Sequence, residues 1–155
     1  ERLSREQVRQ VRTISDTDGD DVPLNDSERA LLDRANGRLL FLYLSGPMIF
    51  SVSKAISRQH TSVSDYEVMI LDLTDVPMID MTVGLALENA IKDAQDAQCE
   101  VFLLCPNVQT QQQLEKFNIV DLVPSGYTYS HRYEALQAAL KYLENNEVKV
   151  AVLPI

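Results

Sequence analysis

One hundred and fifty-five residues with a net charge of −9, 45% apolar and 24% charged side chains fit one globular domain large enough to bury a full core. The acidic balance speaks against nucleic acid as a partner, because neutralising phosphates needs clustered Lys and Arg. Cys99 and Cys105 flank an apolar run, match neither a redox pair nor a metal site with histidine, and read as reduced, buried small hydrophobes.

The chain starts at Glu1 rather than Met and contains no run of 18 apolar residues and no signal peptide, so it is expected to be a piece of a longer polypeptide. Residues 1–12 have helical character. Arg2, Arg5, Arg9 and Arg12 recur every three or four positions, a spacing that aligns them on one side of a helix. Such a stripe is a solvated face or, if a membrane span precedes it, a surface for anionic lipid headgroups. Asp16-Thr17-Asp18-Gly19-Asp20-Asp21 has a calcium-loop composition, but an EF-hand places Gly sixth and Glu twelfth, whereas Gly19 is fourth and Ser27 twelfth. It reads as a flexible acidic turn, and no metal is expected. Residues 24–36 look helical again, so that 1–35 form a lead-in segment and 36–155 the main domain.

From Arg38 onward, strand and helix patterns alternate. Leu39-Leu40-Phe41-Leu42-Tyr43-Leu44 is a continuous apolar run, as in a strand buried on both faces, and Gly46-Pro47 ends it. Ile49, Val52, Ser53 and Ile56 then recur at helical spacing, and this short helix is expected to end before His60. Residues 67–73 form a second buried strand, and Val83, Leu87, Ala90, Ile91 and Ala94 mark the apolar stripe of the helix after it. Residues 100–105 are a third strand, Asn107 caps a helix reaching about Phe117, and Asn118 suits its C-terminal end. Residues 119–123 are either a short fourth strand or an extended connection. Ser130 is expected to cap a last helix carrying Leu136, Ala139, Leu140 and Leu143, with Asn145-Asn146 stopping it. Residues 148–153 then form an edge strand or an ordered tail. The fold class is therefore α/β: a central, mainly parallel sheet of four to five strands with four to five helices, placed largely on one side.

Two corners carry most of the information. In Ile70-Leu71-Asp72-Leu73-Thr74-Asp75-Val76-Pro77-Met78-Ile79-Asp80-Met81-Thr82-Val83-Gly84-Leu85, a strand runs through a short loop into a helix whose first N–H groups Asp80 can cap. Ser45-Gly46-Pro47-Met48-Ile49-Phe50 turns sharply at Gly46, with Pro47 suited to a first helical turn. Met48 and Phe50 are then core or interface anchors. No catalytic constellation emerges: His60 and His131 are far apart, and neither a GxxxxGK[ST] nor a GxGxxG phosphate loop occurs.

Over roughly residues 36–145 these two corners resemble the STAS domain at the C-terminus of SulP-type anion transporters, most closely its cyanobacterial, sodium-coupled bicarbonate branch. The resemblance implies a STAS-like fold and a regulatory and dimerising role rather than an enzyme. It implies a place on the cytoplasmic side of the inner membrane, with the membrane domain of the same polypeptide and a second copy as partners, and no cofactor. It makes Asp80, Met81, Thr82 and Gly84 a regulatory loop, and Gly46, Pro47, Met48 and Phe50 an interface. Soluble anti-anti-sigma members carry a phosphorylated serine after the loop Asp. Here that position is Met81, and only Thr82 matches the second hydroxyl, with Val83 intervening before Gly84. A soluble phospho-switch at Thr82, or a nucleotide- or anion-sensing groove near Asp80 and Gly46, are the alternative readings.

Overall fold

The computed structural model describes residues 11–14, 23–45 and 66–152. Strand β1 (Val11–Ile14) is followed by helix α1 (Asp26–Arg34), β2 (Leu39–Ser45), β3 (Val68–Asp75), α2 (Met81–Asp96), β4 (Glu100–Leu104) and α3 (Val108–Lys116). A 3-10 turn (Val120–Leu122), β5 (Thr128–Tyr129) and α4 (Arg132–Val152) complete the order. The five strands form one sheet in sequence order. β2 to β5 are parallel, and β1 runs antiparallel on the outer side of β2, with Val11 opposite Leu44 and Ile14 opposite Phe41.

Side chains on a strand alternate between the two faces, and each face builds its own core. Leu40, Leu42, Leu44, Met69, Leu71, Leu73, Val101 and Leu103 point toward the stripe Val83, Leu87, Ala90, Ile91 and Ala94 of α2 and toward Leu114 of α3. Leu39, Phe41, Val68, Ile70, Phe102 and Leu104 point the other way, against Leu31 and Leu32 of α1 and Ala135, Leu136, Ala139, Leu140 and Leu143 of α4. Because both faces are covered, the central strands read as unbroken apolar runs. Each fully buried Leu or Phe contributes about 1.5–3 kcal/mol. Phe102 anchors the second face by stacking on Tyr127 with ring centroids 4.4 Å apart, and it meets the edge of Tyr142.

The α/β class and the parallel sheet match the expectation, with differences in detail. The four described helices divide two and two between the faces rather than lying largely on one side. Val11 and Arg12, expected to close a helix, lie in β1, where β-branched Val11, Thr13 and Ile14 favour extended backbone. α1 is held by a reciprocal cap: Asn25 Oδ1 accepts the Glu28 N–H at 2.8 Å, and Glu28 Oε1 accepts the Asn25 N–H at 2.9 Å. Its Leu31 and Leu32 sit in the same core as the sheet. Residues 119–123 hold the 3-10 turn Val120–Leu122 instead of a strand or an extended connection, and the fourth parallel strand is the two-residue β5. Asn145 and Asn146 do not stop the last helix, which continues to Val152 and so replaces the expected edge strand or tail. Asn costs only a few tenths of a kcal/mol in a helix, and no Gly or Pro intervenes before Pro154.

At the edge where the parallel strands begin, Arg38 grips Glu67 with two hydrogen bonds of 2.6 and 2.8 Å and also donates to the Leu143 carbonyl. The Arg38 guanidinium holds the Glu67 carboxyl below its usual range. α4 is thereby fastened to the starts of β2 and β3.

Candidate functional site

The opposite edge, where β2 to β5 end, is the end from which α2, α3 and α4 all depart. Ligand and partner sites in open α/β sheets concentrate at such a carboxyl edge. The loop from β3 into α2 lies there. Asp80 is the N-cap of α2: its Oδ1 accepts the Val83 N–H at 2.9 Å, and its carbonyl accepts the Gly84 N–H at 2.8 Å. The loop before it is held from α3, since Gln113 Oε1 accepts the Ile79 N–H at 2.6 Å. Met81 and Thr82, the next two residues, are exposed. Gly84 instead faces inward, and a Cβ there would lie 3.4 Å from the Phe117 ring and 3.6 Å from Ile119. Asp80, Met81 and Thr82 are therefore surface groups, whereas Gly84 is a packing position.

A second group at this edge was not among the sequence candidates. Asp72, with no exposed surface, lies near the end of β3 on the α4 face; its Oδ2 is 2.8 Å from Arg132 Nε in the first turn of α4. Its Oδ1 accepts both the N–H and the hydroxyl of Thr74. Arg132 Nη2 stands 3.8 Å from Asp75, the Tyr43 hydroxyl donates to Asp75, and the guanidinium sits 5.9 Å from the Tyr43 ring centroid. Burial, reinforced by the bond to Asp75, pushes the Tyr43 hydroxyl up to about 12. The group ties the ends of β2 and β3 to the start of α4. Its one warning in the sequence is a lone acid inside a buried apolar strand, which demands a cation from elsewhere.

Ser130 does not cap α4, which begins at Arg132; its hydroxyl accepts from Gln111 Nε2, and Gln111 also donates to the Cys105 carbonyl. Asn107 caps α3 as expected, and Asn118 follows that helix with φ of 60°. His131 is exposed. Gly46, Pro47, Met48, Phe50, His60, Arg2, Arg5, Arg9 and the acidic turn at 16–21 lie outside the described residues. Among the described residues no group of three or more His, Cys, Asp or Glu is arranged to hold a metal ion, and no helix is long and apolar enough to cross a membrane.

A four-stranded parallel sheet, an Asp-capped helix opening at its carboxyl edge and a long final helix on the other face define a STAS domain. A family model of that domain matches residues 31–139, and the chain belongs to the STAS-domain family. It is 41% identical over 147 residues to the bicarbonate transporter BicA of a Synechocystis species, covering 95% of this chain and 26% of that protein. The BicA of a Picosynechococcus species is 41% identical over 140 residues, 90% of this chain and 25% of that one. The chain thus spans about a quarter of the length of these relatives. Among solved structures, the STAS domain of a SulP transporter from Vibrio cholerae superposes with a TM-score of 0.61 at 30% identity, covering 65% of this chain and 80% of that one.

Proposed function

We propose that this domain is the cytoplasmic regulatory and dimerising module of a SulP-type transporter in the inner membrane, with bicarbonate as the transported anion. The observation that carries the reading is the alignment of nearly the whole chain, at 41% identity, with a quarter of a bicarbonate transporter. In this reading the anion passes through the remaining, membrane-embedded portion. The domain binds no cofactor and performs no reaction. It positions that portion and joins it to a second copy, with Gly46, Pro47, Met48 and Phe50 contributing to the interface and Arg2, Arg5 and Arg9 facing anionic headgroups. The test compares bicarbonate uptake and oligomeric state of the full-length protein with a version lacking the domain. Removal is expected to lower or deregulate uptake and to weaken the dimer; unchanged uptake and an unchanged dimer would overturn the reading.

One observation favours a second reading. Thr82 is exposed at the second position of α2, where helix N–H groups would favour an added phosphate. Intact mass after incubation with kinases of the source cell decides it: a gain of one phosphate, abolished by Thr82→Ala, is required.

A further inference from the structure

The large exposed apolar side chains of the described residues all belong to segments that leave the carboxyl edge of the sheet. Met78, Met81 and Leu85 are 55%, 75% and 57% exposed, and Val108 is 64% exposed. They occupy the loop before α2, its first two turns and the first residue of α3. Both helices leave the carboxyl ends of β3 and β4, which are sheet neighbours, and the Ile79–Gln113 bond ties the loop before α2 to the second half of α3. Tyr133, the other such residue, is in the first turn of α4 and so belongs to the same edge. A scattered exposed leucine needs no explanation, whereas a collection at one end marks an interaction surface. Methionine suits such a surface because its unbranched side chain adapts to a partner's contour.

The direction of β1 says what this end faces. Val11 pairs with Leu44 and Ile14 with Phe41, so the polypeptide preceding Val11 joins the domain at the carboxyl edge of β2. That is the edge bearing Met78 and Met81. With adjacent strands about 4.8 Å apart, Val11 and the end of β3 are only roughly 10 Å apart across the sheet. Charge narrows the occupant further. The chain carries −9, and Asp75 and Asp80, both exposed, stand in sequence on either side of Met78. These carboxylates favour a basic protein surface over anionic headgroups as their own contact, and the cytoplasmic loops of membrane proteins are enriched in Lys and Arg.

We propose that the carboxyl edge, with Met78, Met81, Leu85 and Val108 as apolar anchors, docks on basic cytoplasmic loops of the membrane-embedded portion of the same polypeptide. The proposal rests on reading the domain as a transporter module. It assigns the docking face to α2 and α3, while α1 and the body of α4 lie on the opposite side of the sheet.

The test uses the full-length transporter in native membranes, with any exposed cysteines outside this domain replaced. The domain's own Cys99 and Cys105 are buried and stay silent. Met81→Cys is labelled with a water-soluble maleimide beside Gln137→Cys, an exposed position on α4. Occlusion is expected to slow labelling at position 81 at least about tenfold relative to position 137. A bismaleimide from Met81→Cys should join a peptide of the membrane portion. Equal rates, or a cross-link only to a second copy of this domain or to another protein, overturn the proposal. The deletion experiment is read separately. A thiol protected by the membrane portion together with unchanged uptake and dimer removes the regulatory reading and keeps the docking face. A freely reactive thiol together with deregulated uptake does the reverse.

Discussion

Arg132 and Asp72, 60 residues apart in the chain, form an ion pair of 2.8 Å in which the carboxylate has no exposed surface. Thr74 satisfies the second carboxylate oxygen, so the acid is fully partnered only while the first turn of α4 sits on the sheet. Arg132→Ala strands a buried charge, which typically costs about 3–5 kcal/mol. Asp72→Asn keeps an acceptor for Thr74 and leaves Arg132 beside Asp75, so it is expected to cost clearly less. Urea unfolding followed by circular dichroism reads both; equal losses would show that the charge pair is not what holds α4.

Asp80 does two things that substitution can separate. Its oxygen caps the Val83 N–H, and its charge complements the dipole at the start of α2. Asp80→Ala removes both and should cost about 1 kcal/mol of stability, whereas Asp80→Asn keeps the cap and should cost only a few tenths. Thermal unfolding of the two variants checks this, and an Asn variant as weak as the Ala variant would assign the effect to charge alone.

The repeating parts of the fold were legible because their signals are local. The runs 39–44 and 100–105 and the stripe Val83, Leu87, Ala90, Ile91 and Ala94 announce buried strands and an amphipathic helix without knowledge of their partners. Asp80 and Asn107 were legible as caps for the same reason. What escaped depends on contacts distant in sequence. Two residues at 128–129 have no periodicity to recognise, and they are a strand only because Leu103 and Leu104 stand beside them. Asn145-Asn146 looked like a stop, but weak propensity lost to continuation of a helix already anchored by Leu136, Leu140 and Leu143. The need of Asp72 for a cation could be read within β3. Its answer, Arg132, could not.

The two thiols give the domain an alkaline limit. Burial pushes Cys99 up to about 12 and Cys105 to about 11, from an ordinary 9.0. In the unfolded chain both ionise near 9, so between there and 11–12 the unfolded state holds fewer protons than the folded one, and stability falls as pH rises. The slope reaches roughly 1.4 kcal/mol per pH unit for each thiol, and below pH 9 this contribution is fully retained. Urea midpoints measured from pH 8 to 11 should decline, and Cys99→Ala with Cys105→Ala should flatten the decline even if both lower stability at pH 8. Without that flattening, the alkaline loss would have to come from groups such as Tyr43, whose hydroxyl is also raised to about 12.

Gly84 tests whether the inward-facing position in the first turn of α2 is kept for conformation or for space. Its backbone is ordinary helix rather than the left-handed region, so the freedom of glycine is not used there, and glycine inside a helix costs about 0.5–1 kcal/mol relative to alanine. A Cβ would reach Phe117 at 3.4 Å, the near limit of ordinary contact, with Ile119 at 3.6 Å behind it. Gly84→Ala is therefore expected to raise the unfolding midpoint by an amount equivalent to several tenths of a kcal/mol up to about 1. Gly84→Val adds two methyl groups against the Phe117 ring and should instead destabilise by about 1–3 kcal/mol, as overpacking of a filled site does. If alanine proved as damaging as valine, the approach of Phe117 to α2 would be rigid. Gly84 would then set how closely the first turn of α2 packs on the end of α3.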